Sequence, residues 1–220
     1  MSAEEIASYL KNHPEFFEDY ADVLADIFIP HPHGGRAISL TERQILTLRE
    51  KNQLLESKLR ELIGFGEDND AISEKLHRFA LTLFAPKTLD ALAQSIRENL
   101  LEIFAIPHAA LRIWTGQPDQ PGLVEFSEVP LELCSFTDNL TNPQCGLEAP
   151  HGIPGWFGED GPKLRSFALV PLRAEESFGL LALASEDEQR FYPDMGTLYL
   201  KRLGDLVSAA VQRHLLTDVE

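Results

Sequence analysis

SFALVPLRAEESFGLLALAS (166–185) consists of two apolar runs, SFALVPL (166–172) and GLLALAS (179–185), joined by the polar connection RAEESF (173–178). Short continuous apolar runs bounded by polar residues read as strands buried on both faces. A connection this short makes them antiparallel neighbours. The pattern downstream changes to helical spacing. MGTLYLKRLGDLVSAAVQRHL (195–215) places Leu198, Leu203, Leu206, Ala210, Val211 and Leu215 on one apolar stripe. Upstream lie two further helical stripes. One is Ile72, Leu76, Phe79, Ala80 and Leu83, ending before Pro86. The other is Leu89, Leu92, Ile96, Leu100 and Ile103, capped by Thr88 and ending at Pro107. HAALRIW (108–114) and LVEFSEV (123–129) flank the turn-rich GQPDQPG (116–122), which predicts a hairpin. PLELCSFTDNL (130–140) has helical character, and 141–163 is irregular and rich in glycine. The order of elements predicts an α+β fold, with helices segregated against an antiparallel sheet.

Ahead of this body stands SLTERQILTLREKNQLLESKLRELI (39–63). Thr41, Ile45, Leu48, Asn52, Leu55, Leu59 and Leu62 alternate in spacings of four and three, the a/d pattern of a heptad, with Asn52 at a central a position. A seam of this width suits a second helix, and a buried Asn pair selects register and a parallel two-stranded state. Lys51 at g faces Glu56 at e of a parallel partner, which favours the same orientation. Ser39 and Glu42 form a capping-box pattern at the start, and Gly64 and Gly66 predict the end. Asp68-Asn69-Asp70 then predicts the cap of a new helix. Residues 3–28 hold two short helical stripes, Ile6, Tyr9 and Leu10, then Phe16, Phe17, Tyr20, Val23, Leu24 and Ile27. They are too small for a core of their own and need a partner surface. IPHPHGGRA (29–37) reads as a linker. The predicted organisation is a helical segment and linker (1–37), a dimerising coiled-coil helix (38–66) and a body (67–220).

Composition narrows the function. The 220 residues carry Asp+Glu 35 against Lys+Arg 19, a net charge of −16. That field repels phosphate backbones, so direct nucleic-acid binding is not expected. The N-terminal MSAEEIASYL lacks the basic and apolar regions of a signal peptide, and no apolar run is long enough to span a bilayer. A cytoplasmic location without membrane contact is expected. The two cysteines are then reduced thiols.

From Ile72 to Leu216 the chain resembles a GAF domain, on the pattern ALVPL…GLLALAS…F…LGDLVSAAV. Over its whole length it resembles a bacterial family catalogued as domain of unknown function 484. The matching stretches are NHPEFF (12–17), IPH (29–31), SLTERQ (39–44), LREKN (48–52) and SEDEQRFYPDMGTL (185–198). The family resemblance implies N-terminal helices, a coiled coil and a GAF-like domain without established activity. GAF resemblance implies a small-molecule pocket between the sheet and a long connection. Carried onto this chain, Arg112, Trp114, Trp156, Phe157, Phe167 and Leu169 line it. Arg112, the one charge in its strand, is suited to a carboxylate or phosphate; the opposing reading gives that strand a wet face. The cyclic-nucleotide and bilin patterns of GAF domains are missing, and no cofactor is implied.

Other candidates for chemistry carry less. His31-Pro32-His33 supplies two of the three or four ligands a zinc site needs, so no metal is expected. Cys134 and Cys145 invite comparison with free methionine sulfoxide reductases, which are GAF enzymes, but Cys134 has no basic neighbour and the surrounding motifs differ. HGIPGWFGEDGP (151–162) is glycine-rich without the Gly-Lys-Ser/Thr ending of a phosphate loop. The expected function is a dimeric, non-enzymatic sensor or signalling adaptor for an unknown small molecule, with the N-terminal helices as a possible protein-docking element. The alternatives are a ligand-free scaffold and a thiol enzyme.

Overall fold

The computed structural model describes every residue except 1, 22, 24–27, 32–33, 118–120, 151 and 216–220, and of 28–31 and 34–42 the backbone alone. The chain divides into two compact units, Met1–Asp68 and Asn69–Glu220.

The first unit opens with helix α1 (Ala3–Asn12). Its N-cap is a full capping box, in which the Ser2 hydroxyl accepts from the Glu5 N–H and the Glu5 carboxylate accepts from the Ser2 N–H. A single turn, α2 (Phe16–Asp19), follows, with Phe16 stacked on Tyr20 at 4.9 Å. Leu24 and Ile27, expected on its apolar stripe, lie outside the described residues. The expected linker 29–37 is corrected: β1 (Phe28–His31) pairs antiparallel with β2 (Gly34–Ser39), Ile29 opposite Ile38. Ile29 and Ile38 are β-branched, which favours extended pairing. His33 of the pair weighed as metal ligands lies outside the described residues, as do the side chains of Ser39, Thr41 and Glu42.

Helix α3 runs from Leu40 to Thr82. It does not stop at Gly64 and Gly66, and Asp68-Asn69-Asp70 lies within it rather than capping a new helix. Neither glycine takes the left-handed conformation of a helix C-cap. Each costs the helix only about 1 kcal/mol relative to Ala. Strong helix formers flank them, and the far end is anchored in the second unit. Along residues 45–62 the seam positions Ile45, Leu48, Leu55, Leu59 and Leu62 are between 44% and 67% exposed. Asn52 is also exposed and donates to Glu56 Oε1 at 3.3 Å.

The second unit is built on a sheet of order β3-β6-β5-β4, antiparallel throughout. Its strands are β3 (His108–Ile113), β4 (Gln144–Gly146), β5 (Ser166–Arg173) and β6 (Ser177–Ser185). β5 and β6 form the hairpin predicted from 166–185. β3 does not pair with residues 123–129, which was the expectation. Val124–Phe126 is a 3-10 turn, and β3 lies along β6 instead, Leu111 opposite Leu181. The reason is Glu125, which is 2% exposed and held by Arg97 at 2.8 Å.

One sheet face, carrying Leu111, Ile113, Val170, Leu172, Leu181 and Leu183, packs against helices. These are the last turns of α3 through Phe79, helix α4 (Leu89–Phe104) through Leu92 and Ile96, and helix α6 (Leu198–Gln212) through Leu203 and Val207. The Thr88 hydroxyl caps α4 by accepting from the Ala91 N–H, and Ala105 closes it in the left-handed conformation at φ 52°. α6 lies so close to the sheet at Gly204 that a Cβ there would sit 2.5 Å from Val170 Cγ1. Leu198, expected on its buried stripe, is instead 57% exposed, because the helix begins at that residue. Among the described residues no helix is long and apolar enough to cross a membrane.

Candidate functional site

The other sheet face is set by register. Arg112 opposite Leu180, Ala182 flanked by Ala110 and Leu169, and Ala184 opposite Phe167 all point away from the helices of the first face. Two elements cover them. Helix α5 (Leu131–Asn139) contributes Leu133, which is fully buried. The 3-10 segment Ile153–Lys163 crosses as a lid, with Ile153 fully buried. The lid is a tight double turn: Gly158 breaks the helical path at φ 57°, and a Cβ on Gly161 would lie 2.4 Å from the Pro154 carbonyl oxygen. Glycine is required at both positions.

The six candidate pocket residues all come to this face. Trp114, Trp156, Phe157 and Leu169 share one apolar cluster with Leu133, Ile153 and Leu180. Phe167 and Phe157 meet in an adjoining cluster, ring centroids 6.5 Å apart. The Arg112 guanidinium lies 4.9 Å from the Trp156 ring centroid. The strand's expected wet face is not present at Arg112, which is 9% exposed.

Arg112 is electrostatically unusual. Burial holds its pKa below the ordinary arginine value, Glu125 acts in the opposite sense, and Arg97 adds to the lowering. Among the described residues its one hydrogen bond runs from Nη1 to the Leu111 carbonyl at 2.8 Å. Glu125 itself carries the ion pair to Arg97, 2.8 Å away. A cation–π contact with a desolvated guanidinium is worth about 2 kcal/mol. The arrangement ties lid to strand through Arg112 and Trp156, and the 3-10 turn Val124–Phe126 to α4 through Glu125 and Arg97.

Beside this stack is a groove of about 360 Å³. Trp156 and Phe157 form its lid wall, His108 and Ala109 its strand wall, and Arg97 and Leu101 its α4 wall. His108 meets Phe157 edge to face at 6.2 Å. Of the six candidates Trp156 and Phe157 line the groove; Arg112, Trp114, Phe167 and Leu169 do not. Arg97 and His108 supply its polar edge and were not singled out by sequence. Arg97 sits on the solvated side of α4, where a cation carries no signal of its own.

At the other end of the lidded face Trp114 Nε1 donates to the Ser177 carbonyl at 3.1 Å, and Ser177 in turn donates to the Asp138 carboxylate. Arg173 donates to the carbonyls of Thr137 and Asp138, pinning α5 to the hairpin. The thiols are not activated. Burial pushes Cys145 up to about 11, and burial together with Asp138 raises Cys134.

Fold and site define an α+β protein whose sheet has one helix-backed face and one face closed by a lid and an adjacent groove. The model of the family described as "Protein of unknown function, DUF484" matches residues 1–215, and the chain belongs to that family. A relative, "Uncharacterized protein YigA" of Salmonella typhimurium strain LT2, is 21% identical over 218 residues, covering 94% of this chain and 90% of its own. Two similar solved structures are GAF domains. One is from the potassium sensor histidine kinase KdpD of Escherichia coli, with TM-score 0.42 and 13% identity, covering 64% of this chain and 93% of that one. The other, from a phosphoenolpyruvate-protein phosphotransferase of Coxiella burnetii, has TM-score 0.47 and 14% identity, again covering 64% and 93%.

Proposed function

We propose that this protein is a non-catalytic, cytoplasmic sensor or adaptor that works as a parallel dimer and binds a flat small molecule in the groove beside the lid. The observation that carries the reading is Trp156. It is held by the buried Arg112 guanidinium at 4.9 Å and at the same time lines a groove of about 360 Å³ with Phe157. A groove of that volume with aromatic walls and a few polar groups suits a small ligand. Arg97 and His108 are its polar handles. The raised thiols support a binding role over thiol chemistry, since a reactive cysteine needs a lowered pKa. The exposed seam supports pairing, because five large apolar residues stay in water unless a second helix covers them. Exposed Tyr9, Phe17 and Tyr20 give the N-terminal helices a surface for a protein partner. Signal transfer then requires two arrangements of the coil that ligand stabilises unequally.

Native mass spectrometry of the full chain against a panel of aromatic metabolites tests the ligand. A saturable adduct that Trp156→Ala abolishes, with the unfolding midpoint of the variant close to wild type, is the expected result. A panel that yields no adduct leaves a scaffold, which the dense packing of Leu133, Ile153 and Leu169 behind the lid would also serve.

A further inference from the structure

The stretch SEDEQRFYPDMGTL (185–198) connects β6 to α6. It borders a second cavity of about 410 Å³ on the helix-backed side of the body. Phe104, Ile106, Phe191, Leu200 and Leu203 supply its apolar walls. Two cations complete the lining, Lys75 from the last turns of α3 and Arg190 from the connection. No carboxylate lines it, although the chain has Asp+Glu 35 and a net charge of −16.

Among the described residues neither cation is paired with a carboxylate. Among the described residues Lys75 has no ion pair or hydrogen bond and is exposed. Arg190 commits Nη2 to the Phe104 carbonyl and rests 5.8 Å from the Phe191 ring centroid, which fixes the guanidinium without an anion. The Tyr199 hydroxyl is already engaged with Asn69 Oδ1 at 3.0 Å. An apolar chamber with two uncompensated cations in its lining is complementary to one kind of occupant. The volume lies in the range of small-molecule sites.

We propose that this cavity binds a small amphiphilic monocarboxylate, its apolar chain among Phe104, Ile106 and Leu203 and its carboxylate held by Lys75 and Arg190. The site is independent of the lid.

Isothermal titration of the full chain with decanoate and with decanol tests it. Decanoate should bind saturably and about tenfold tighter than decanol, the size of one charge-assisted contact. Lys75→Gln, at an exposed position, should remove most of that preference and leave decanol unchanged. Gly196→Leu should weaken both ligands, because a Cβ at Gly196 meets nothing within 4 Å and the side chain has room to fill the cavity. If that variant does not fold, Met195→Trp does the same from the neighbouring position. Trp156→Ala should leave decanoate binding intact, which separates this site from the groove beside the lid. Absence of saturable binding, equal affinity for acid and alcohol, or decanoate binding indifferent to both cavity-filling variants would overturn the proposal.

Discussion

Two stretches of helix α3 carry apolar stripes and meet opposite surroundings. In residues 45–62 Leu48, Leu55 and Leu62 are each more than 60% exposed, whereas at the far end Phe79 is fully buried and Leu83 is 4% exposed. The stripes differ in width. The first is a narrow a/d row with an Asn in its middle, the form that fits a single partner helix. The second, Ile72, Leu76, Phe79, Ala80 and Leu83, follows the broader spacing of a helix lying on a globular core. Stripe width therefore distinguishes a row left exposed in this chain from one buried in its own core.

The strongest way to break this comparison is to charge the narrow stripe. Leu55→Asp should convert a dimer into a monomer in sedimentation, with the thermal midpoint of the body unchanged. Asn52→Leu should keep or raise stability while relaxing oligomer state, because the polar pair disfavours alternative registers. A wild-type chain that sediments as a monomer would remove the pairing argument, and the exposed leucines would then need a different partner.

The broad stripe should respond in the opposite way. Phe79→Ala removes a fully buried ring that meets Phe104 edge to face at 5.8 Å, and should cost about 4 kcal/mol in urea unfolding. Oligomer state should not follow. A cost under about 1 kcal/mol would mean that this end of α3 is not part of the core.

Local signals and long-range contacts divide what was legible. The β5–β6 hairpin, the helices ending at Pro86 and Pro107 and the Thr88 cap were readable, because each depends on neighbours in sequence. Val124–Phe126 was misread as strand because the partner that buries Glu125 is Arg97, 28 residues away. Strand β4 has three residues and no periodicity to show. At the site, Arg112, Trp156 and Phe157 stood out by residue type. That Arg112 stacks on Trp156 depends on how the lid folds over the sheet, and no spacing encodes it. The groove's Arg97 and His108 belong to different elements and converge only in three dimensions.

The end of α3 is the sharpest case of a local signal overruled, and it yields the smallest and most discriminating effect. Gly64 and Gly66 are helix-stop residues by type, yet they lie inside the helix with no left-handed angle, and a Cβ at either meets nothing within 4 Å. Gly64→Ala and Gly66→Ala should each stabilise the chain by about 0.5–1 kcal/mol, since Ala lowers the entropy lost on forming a helix and adds no clash. The sign decides the matter. If the glycines closed one helix in the left-handed conformation before a second began, Ala would be strained there and the same substitutions would destabilise. A rise in the unfolding midpoint for both variants means that the narrow and broad stripes belong to one continuous helix.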